Sequence, residues 1–311
     1  MSAPITLSAL REVVEPIMND NFDGVYTQRK DEWKGVFAER EGLERSSHVE
    51  TVLYGFNNAP VVGDGEPLPY STGGTLWSIN YPYYQIALGF AITKMAMEDG
   101  EHIDLAEKFS KHLAQSMIET QEIIAANVLN QGFDAGVTQK GGDGQPLFST
   151  QHGMANGQVY SNKLTTAALS MTSLENALIQ ISLATDAMGK RIRIDPKQIV
   201  VPPALRFIAE VALRSILNPD VAASNQINPI NSMNAIDGGA KVVTRLTSAT
   251  AYFITTDLGA GNDSGLVRLN RRNMQGGSQP DFNTESVQYK KSMRYTFSWI
   301  DPRGVYGNLG G

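Results

Sequence analysis

Val287-Gln288-Tyr289-Lys290-Lys291-Ser292-Met293-Arg294-Tyr295-Thr296-Phe297-Ser298-Trp299, near the end of a 311-residue chain, repeats with a period of two. The odd positions are Val287, Tyr289, Lys291, Met293, Tyr295, Phe297 and Trp299, and the even ones are all polar. Residues two apart share one face of a pleated strand, so this stretch predicts a single strand with one buried face. Lys291 alone breaks the alternation, and Asp301-Pro302 stops it. Strands usually run about 5–6 residues. One roughly twice that length predicts an elongated, flattened domain.

Upstream, three shorter stretches read as strands between turn residues: Leu266 to Arg271, Ala251 to Thr255 and Lys241 to Thr247. Gln198 to Val201 reads as a short buried strand, after which Pro202-Pro203 opens a helix to about Leu217. Arg206, Glu210 and Arg214 ladder along the outside of that helix. Thr172 with Glu175 predicts a capping box, with Leu174, Leu178 and Ile181 on one face of the helix that follows and Gly189 as its stop. The strongest helical pattern covers about 103–131. Leu105, Phe109, Leu113, Met117, Ile124 and Val128 form its stripe, Glu107 and Lys111 an exposed pair, and Gly132 its end. At 1.5 Å per residue such a helix is about 40 Å long, which suits a spine.

The N-terminal part is of another kind. Leu7, Leu10, Val13, Val14, Ile17 and Met18 predict an amphipathic helix over about 6–18, followed by a charged piece from Asp31 to Glu41. Residues 1–45 have too few apolar positions for a core of their own and read as an arm. Residues 46–93 contain no Lys or Arg and are rich in Gly, Pro and aromatics. Val61-Val62 and Leu76 to Ile79 read as strand pieces around a glycine-rich turn region. An extended hairpin cannot bury its aromatics within itself. Each would gain about 1.5–3 kcal/mol from burial. Phe56, Tyr70, Trp77, Tyr81, Tyr83 and Tyr84 are therefore candidate inter-subunit contacts, the alternative being an intramolecular β core.

Composition excludes several classes. With no cysteine there are no disulfides, thiolate nucleophiles or thiolate-bound metals. The first residues lack a basic and an apolar signal-peptide region, and no apolar run approaches the ~20 residues that span a bilayer. Net charge is −6, against the basic excess of a protein built to grip nucleic acid. Three small basic groups stand out: Lys190/Arg191/Arg193, Arg268/Arg271/Arg272 and Lys290/Lys291/Arg294. Each reads as a solvated face or an inter-subunit ion pair before a phosphate patch, so any contact with nucleic acid is weak and non-specific. The glycines of 141–144 are followed by no Lys-Ser or Lys-Thr and do not make a phosphate loop. His48, His102, His112 and His152 have no metal-ligand spacing, and no nucleophile elbow is present. Neither a cofactor nor an enzymatic activity is expected.

Two runs carry a family resemblance. Ile123 to Asp134, followed by Gly142 to His152, resembles the spine-helix end and subsequent loop of major capsid proteins of tailed double-stranded DNA bacteriophages, of the HK-97-type fold. Leu88-Gly89-Phe90 with Ile92-Thr93-Lys94, Val200-Val201-Pro202-Pro203, and Tyr295 to Trp299 with Asp301-Pro302-Arg303-Gly304 sit where similar segments occur in that family. Together the matches cover about 50–307.

The resemblance implies an α+β fold with an N-terminal arm (1–45), an extended β-hairpin loop (46–93), a peripheral domain holding the spine helix (94–159 and 281–311) and an axial domain (160–280). It implies a structural subunit of an icosahedral virion shell, self-assembling into pentamers and hexamers that enclose the viral DNA. Arg268, Arg271 and Arg272 join the aromatics as candidate inter-subunit contacts. Implied partners are copies of the chain, a separate scaffolding protein, a portal and a decoration protein, with assembly in the host bacterial cytoplasm and no membrane. Two departures qualify this. No lysine lies between Lys34 and Lys94, so a lysine crosslink from the loop is not expected. The chain also starts almost directly at the arm, which suggests a separate scaffold. A bacterial nanocompartment shell of the same fold, a β-rich tail or fibre module, and an enzyme are the alternatives. Truncating 60–80 is expected to leave a folded subunit that fails to assemble.

Overall fold

A computed structural model describes the chain except residues 1–6, 29, 42–44, 100–101, 138, 219–225, 259–264 and 282. In chain order the elements are α1 (Leu7–Gln28), β1 (Ala38–Arg40), β2 (Ser47–Tyr54), β3 (Gly74–Pro82), β4 (Tyr84–Thr93), α2 (Lys94–Glu98) and α3 (His102–Asn130). Then come β5 (His152–Gly153), β6 (Val159–Tyr160), α4 (Met171–Ser182), β7 (Pro196–Val201), α5 (Arg206–Arg214), α6 (Pro229–Ser232) and β8 (Ala240–Val242). The chain ends with β9 (Tyr252–Thr256), β10 (Leu266–Asp281), β11 (Ser286–Trp299) and β12 (Val305–Asn308).

The period-two stretch forms β11, at the centre of a sheet ordered β1-β10-β11-β4. Val287, Tyr289, Met293, Tyr295, Phe297 and Trp299 are all buried, as the alternation requires. The exception explains itself. Lys291 is buried, but its Nζ donates to Asn19 Oδ1 at 2.9 Å and lies 4.8 Å from the Phe22 ring centre, so the charge is held by α1. On this face lie α1 and α3. Val14, Met18 and Phe22, four apart, are buried against them. The expected arm helix thus runs ten residues further than its apolar pattern to Met18 suggests, to Gln28, because Phe22 and Tyr26 carry the stripe onward. The described part of the arm packs on its own chain.

The second sheet is ordered β12-β9-β7-β8 and serves two cores. Val200, Phe253 and Val305 face the first core; Ile199, Val201, Tyr252, Ile254 and Tyr306 face a second, shared with α4, α5 and Ile230 of α6. A strand buried on both faces reads as an unbroken apolar run, as Ile199-Val200-Val201 does. The parallel β7–β8 pair is joined through α5 and α6, since parallel neighbours need a crossover.

Several boundaries move. β10 runs to Asp281, not Arg271, paired with β11 throughout; two register shifts between Asn270 and Gln275 erase its alternation. A domain limit at 280 would cut this hairpin, so 266–281 belongs with β11. Conversely β12 joins the sheet of residues 196–256. β4 is paired with β11 from Tyr84 to Thr93 and so belongs to the main sheet, not to an extended loop. No strand forms at Val61-Val62, and the Lys241 strand ends at Val242. The cap of α4 is Ser170 with Ser173, reciprocally bonded, in place of Thr172 with Glu175: the helix starts earlier and the shorter Ser173 hydroxyl does the work of a glutamate.

A buried carboxylate locks the arm to α3. Glu122 accepts from the backbone N–H of Glu32 (2.7 Å) and Trp33 (3.2 Å). Glu32 in turn accepts from Thr244 N at 2.8 Å, and Arg245 Nε donates to Glu119 Oε1 at 2.9 Å. Burial pushes the Glu122 carboxyl above its ordinary value, opposed by the two backbone donors. A raised folded-state pKa gives a contribution that is complete below the unfolded value of ~4.3 and lost as pH rises through the folded one. Glu122→Gln cannot ionise. Its melting temperature relative to the wild type should therefore climb as pH rises from about 4, as read by thermal unfolding; a flat or falling difference would contradict this.

Candidate inter-subunit surfaces

The hairpin of β2 and β3 is held by a ladder running from Ser47–Pro82 to Tyr54–Gly74. Alternate residues of β3 point into the chain: Trp77, Ile79 and Tyr81 pack with Ala38, Val267, Leu269 and Ile300, and the Tyr81 hydroxyl donates to the carbonyl of Trp299. Tyr83 is buried in the same cluster. The candidate contacts Trp77, Tyr81 and Tyr83 are thereby corrected. Their rings lie within this subunit because β3 lies over the β1–β10 side of the sheet, and burial leaves them no surface for a neighbour.

Beyond the Tyr54–Gly74 pair the hairpin opens into an uncovered segment, 55–73. Val61 and Tyr70 are 100% and 98% exposed, and Phe56 and Leu68 are exposed too. A turn closes at 63–66, where Glu66 N donates to Gly63 O and Gly63 N to Glu66 Oε2. Lys190 Nζ donates to Phe56 O at 2.7 Å, tying the segment's start to the turn after α4. Tyr84 is half exposed at the start of β4.

The three arginines separate. Arg268 is buried, paired with Glu39 and lying 4.9 Å and 5.1 Å from the Trp33 and Tyr295 ring centres. Burial lowers its proton affinity from the usual guanidinium value. It is a strut between arm and sheet, so its assignment as an inter-subunit contact is corrected. Arg271 donates to the Arg45 carbonyl. Arg272 stands opposite Arg294 in the β10–β11 ladder and donates to Ser292 Oγ at 2.8 Å.

A second apolar surface was not anticipated. Phe207, Ile216 and Met233 are 76%, 76% and 77% exposed, with Ile208, Val211 and Ile227 exposed around them. A groove of about 260 Å³ lies where Phe207, Ile208 and Val211 meet Leu169 and Met171. Glu210 and Arg214 pair at 2.9 Å on α5 as their spacing predicts. The signal was present in the sequence: with Ala209, Ala212 and Leu213 inside, Phe207, Ile208 and Val211 leave α5 apolar nearly all round.

His152 is buried, its Nδ1 2.6 Å from Asp143 Oδ2 and its Nε2 3.1 Å from Asn162 Oδ1. Among the described residues no group of His, Asp and Glu could hold a metal ion, and no helix is long and apolar enough to cross a membrane.

Residues 83–308 match the model of a family described as phage capsid protein. The chain belongs to that family. No curated protein matches this capsid protein in sequence. Among solved structures it is similar to the virus-like particle from Pyrococcus furiosus, at 11% identity over 94% of this chain and 98% of that one, with a TM-score of 0.53. The capsid of Myoviridae Phage XM1 matches at 11% identity over 89% and 90%, TM-score 0.53. The capsid of Cyanophage P-SCSP1u matches at 10% identity over 90% and 88%, TM-score 0.56. The capsid protein therefore has the mixed α+β, HK-97-type fold expected from its sequence, and it is a structural protein of a phage capsid shell.

Proposed function

We propose that the chain builds an icosahedral shell of pentamers and hexamers around viral DNA, without enzymatic activity and without covalent crosslinks from its hairpin. The observation that carries this reading is the pairing of a well-packed interior with two separate uncovered apolar surfaces, the segment 55–73 and the α5 surface over the second core. Isolated exposed apolar residues are ordinary; clusters of them mark interaction sites. Phe56 and Tyr70 lie on the first, which would cover a neighbouring subunit, with Tyr84 and Arg271 as further contacts. The α5 surface, within an axial unit of 160–258, would meet its copies around five- and six-fold axes. Modest contacts repeated over symmetric interfaces suffice for a stable particle. The lysine-free stretch between Lys34 and Lys94 supports noncovalent locking. The acidic balance supports weak, non-specific contact with the packaged DNA. A separate scaffolding protein, a portal and a decoration protein complete the reading, with assembly in the host bacterial cytoplasm.

Electron microscopy of the expressed full chain, with its scaffold where one is required, should show closed shells. Protein that stays monomeric under every assembly condition would overturn the reading. Shells enclosing a cargo protein in place of nucleic acid would identify a nanocompartment.

A further inference from the structure

The solvent face of the β10–β11–β4 sheet carries a groove whose charged lining is basic. It has a volume of about 760 Å³ and a floor that includes Gly89, Ala91 and Gly277, and its lining holds two cations, Arg272 and Lys290, and no carboxylate. Arg272 faces Arg294 directly across the ladder, at the point of one of the β10 register shifts. Like charges placed opposite each other on neighbouring strands are destabilising. The Nε of each arginine is buried and finds no acceptor among the described residues. Two acids border the groove without entering its lining: Asp281 Oδ2 accepts from Gln288 Nε2 at 2.9 Å, and Glu15, beside Gly277, accepts from Ser278 Oγ at 2.7 Å. A chain with net charge −6 has thus gathered cations at one site, with its acids among the described residues held at the border and none in the lining.

The complementary piece is in the same chain. Segment 55–73 contains no Lys or Arg, and at its turn it presents Asp64 and Glu66, both exposed. The turn is narrow, with Gly65 at φ +82°, and a glycine and alanine floor admits a narrow tip. We infer that the acidic turn 63–66 of one subunit docks into the Arg272/Lys290 groove of a second copy, next to Arg294, the ladder partner of Arg272. This rests on the reading that 55–73 reaches a neighbour, and it names where on that neighbour the tip sits. Charge pairing of this kind sets register and partner choice, and an anion between Arg272 and Arg294 removes their repulsion.

Charge exchange tests it in the full chain. The pair D64K/E66K should fold as the wild type does and reduce particle yield roughly tenfold or more, since the contact recurs throughout a shell. R272E/K290E should assemble equally poorly, yet melt higher than the wild type, because a carboxylate at position 272 would then face Arg294 within the subunit. Combining all four substitutions should restore particles. Because the chain has no native cysteine, E66C with Q279C should also give a ladder of disulfide-linked multimers on oxidation. Normal assembly of D64K/E66K, failure of the fourfold variant to recover, or a crosslink confined to the monomer would overturn the proposal. Particles of R272E/K290E that form normally but retain less nucleic acid would assign the groove to DNA instead. If D64K/E66K assembles while removal of the whole segment does not, only the groove is wrong; if both assemble, the neighbour reading falls with it.

Discussion

Deleting residues 56–72 should leave a subunit at least as stable as the wild type that no longer forms particles. The deletion joins Gly55 to Gly73, between Tyr54 and Gly74, which are paired in the ladder. A two-residue Gly-Gly connection is one that tight hairpins accept, because both positions tolerate positive φ. The excised segment is exposed throughout but for a half-buried Val62. The bond from Lys190 to Phe56 is lost, and the exposed lysine is rehydrated at little cost. Shortening the loop lowers its closure entropy by up to about 2 kcal/mol in favour of the fold. Assembly meanwhile loses one of its two uncovered surfaces. Thermal unfolding together with electron microscopy reads both effects, and particles of ordinary yield from the deleted chain would remove 55–73 from the shell contacts. The limits matter. A cut through 60–80 would take Trp77 and Ile79 out of the core, and losing either large side chain costs about 2–5 kcal/mol. Such a variant would unfold, and its failure to assemble would say nothing about the loop.

That difference shows what the sequence could and could not convey. β11 and α3 were legible because each keeps one period over many residues and buries one face. α1 beyond Met18 was not, since its second half is apolar only at Phe22, Val25 and Tyr26, among polar residues and over a Pro16 that signals a break. β4 lacks alternation for a physical reason: Ile86, Phe90 and Ile92 pack into the first core, but Gly89 and Ala91 line the groove, where small residues replace polar ones. β10 hides its second half behind two register shifts and residues, Gly276, Gly277 and Pro280, that read as a turn. Its long partner β11 overrides that local preference.

The aromatics of 46–93 divide at Gly74, and composition could not show it. Tyr70 and Trp77 are alike in a list. Trp77 lies on the inward register of a strand docked over Val267 and Leu269, whereas Tyr70 lies in a segment with no strand to dock. Contacts of this sort depend on residues almost two hundred positions apart. The α5 surface was legible in principle, from a helix apolar on more than one face, but the Arg206/Glu210/Arg214 ladder drew the outside toward a solvated reading.

Asn162 carried no sequence signal at all, and its replacement should be the most damaging single change in the chain. The residue is fully buried. Its Nδ2 lies 2.7 Å from Leu147 O, 3.0 Å from Pro302 O and 3.1 Å from Val305 O, and its Oδ1 accepts from Ser149 N at 3.1 Å. One amide thereby fastens the loop after α3 to the turn that leads from β11 into β12. Asn162→Leu keeps the approximate volume but removes all of these hydrogen bonds, leaving Leu147 O only its longer 3.3 Å contact with His152 Nε2, and each buried group left without a partner costs about 1–3 kcal/mol. Several together approach the whole stability of a domain, about 5–15 kcal/mol, so the variant should be largely unfolded at neutral pH. Asn162→Asp keeps the shape and should be as damaging for another reason, since an ionised carboxylate would face three carbonyl oxygens. The two variants separate on acidification. Once protonated, the introduced carboxyl regains one donor, so its folded-state pKa lies above the ordinary carboxylate value of ~3.9, and stability returns as pH falls below it. Chemical denaturation at a series of pH values should show that recovery for Asn162→Asp and none for Asn162→Leu; parallel curves for the two would mean that packing, not the amide's hydrogen bonds, holds this junction.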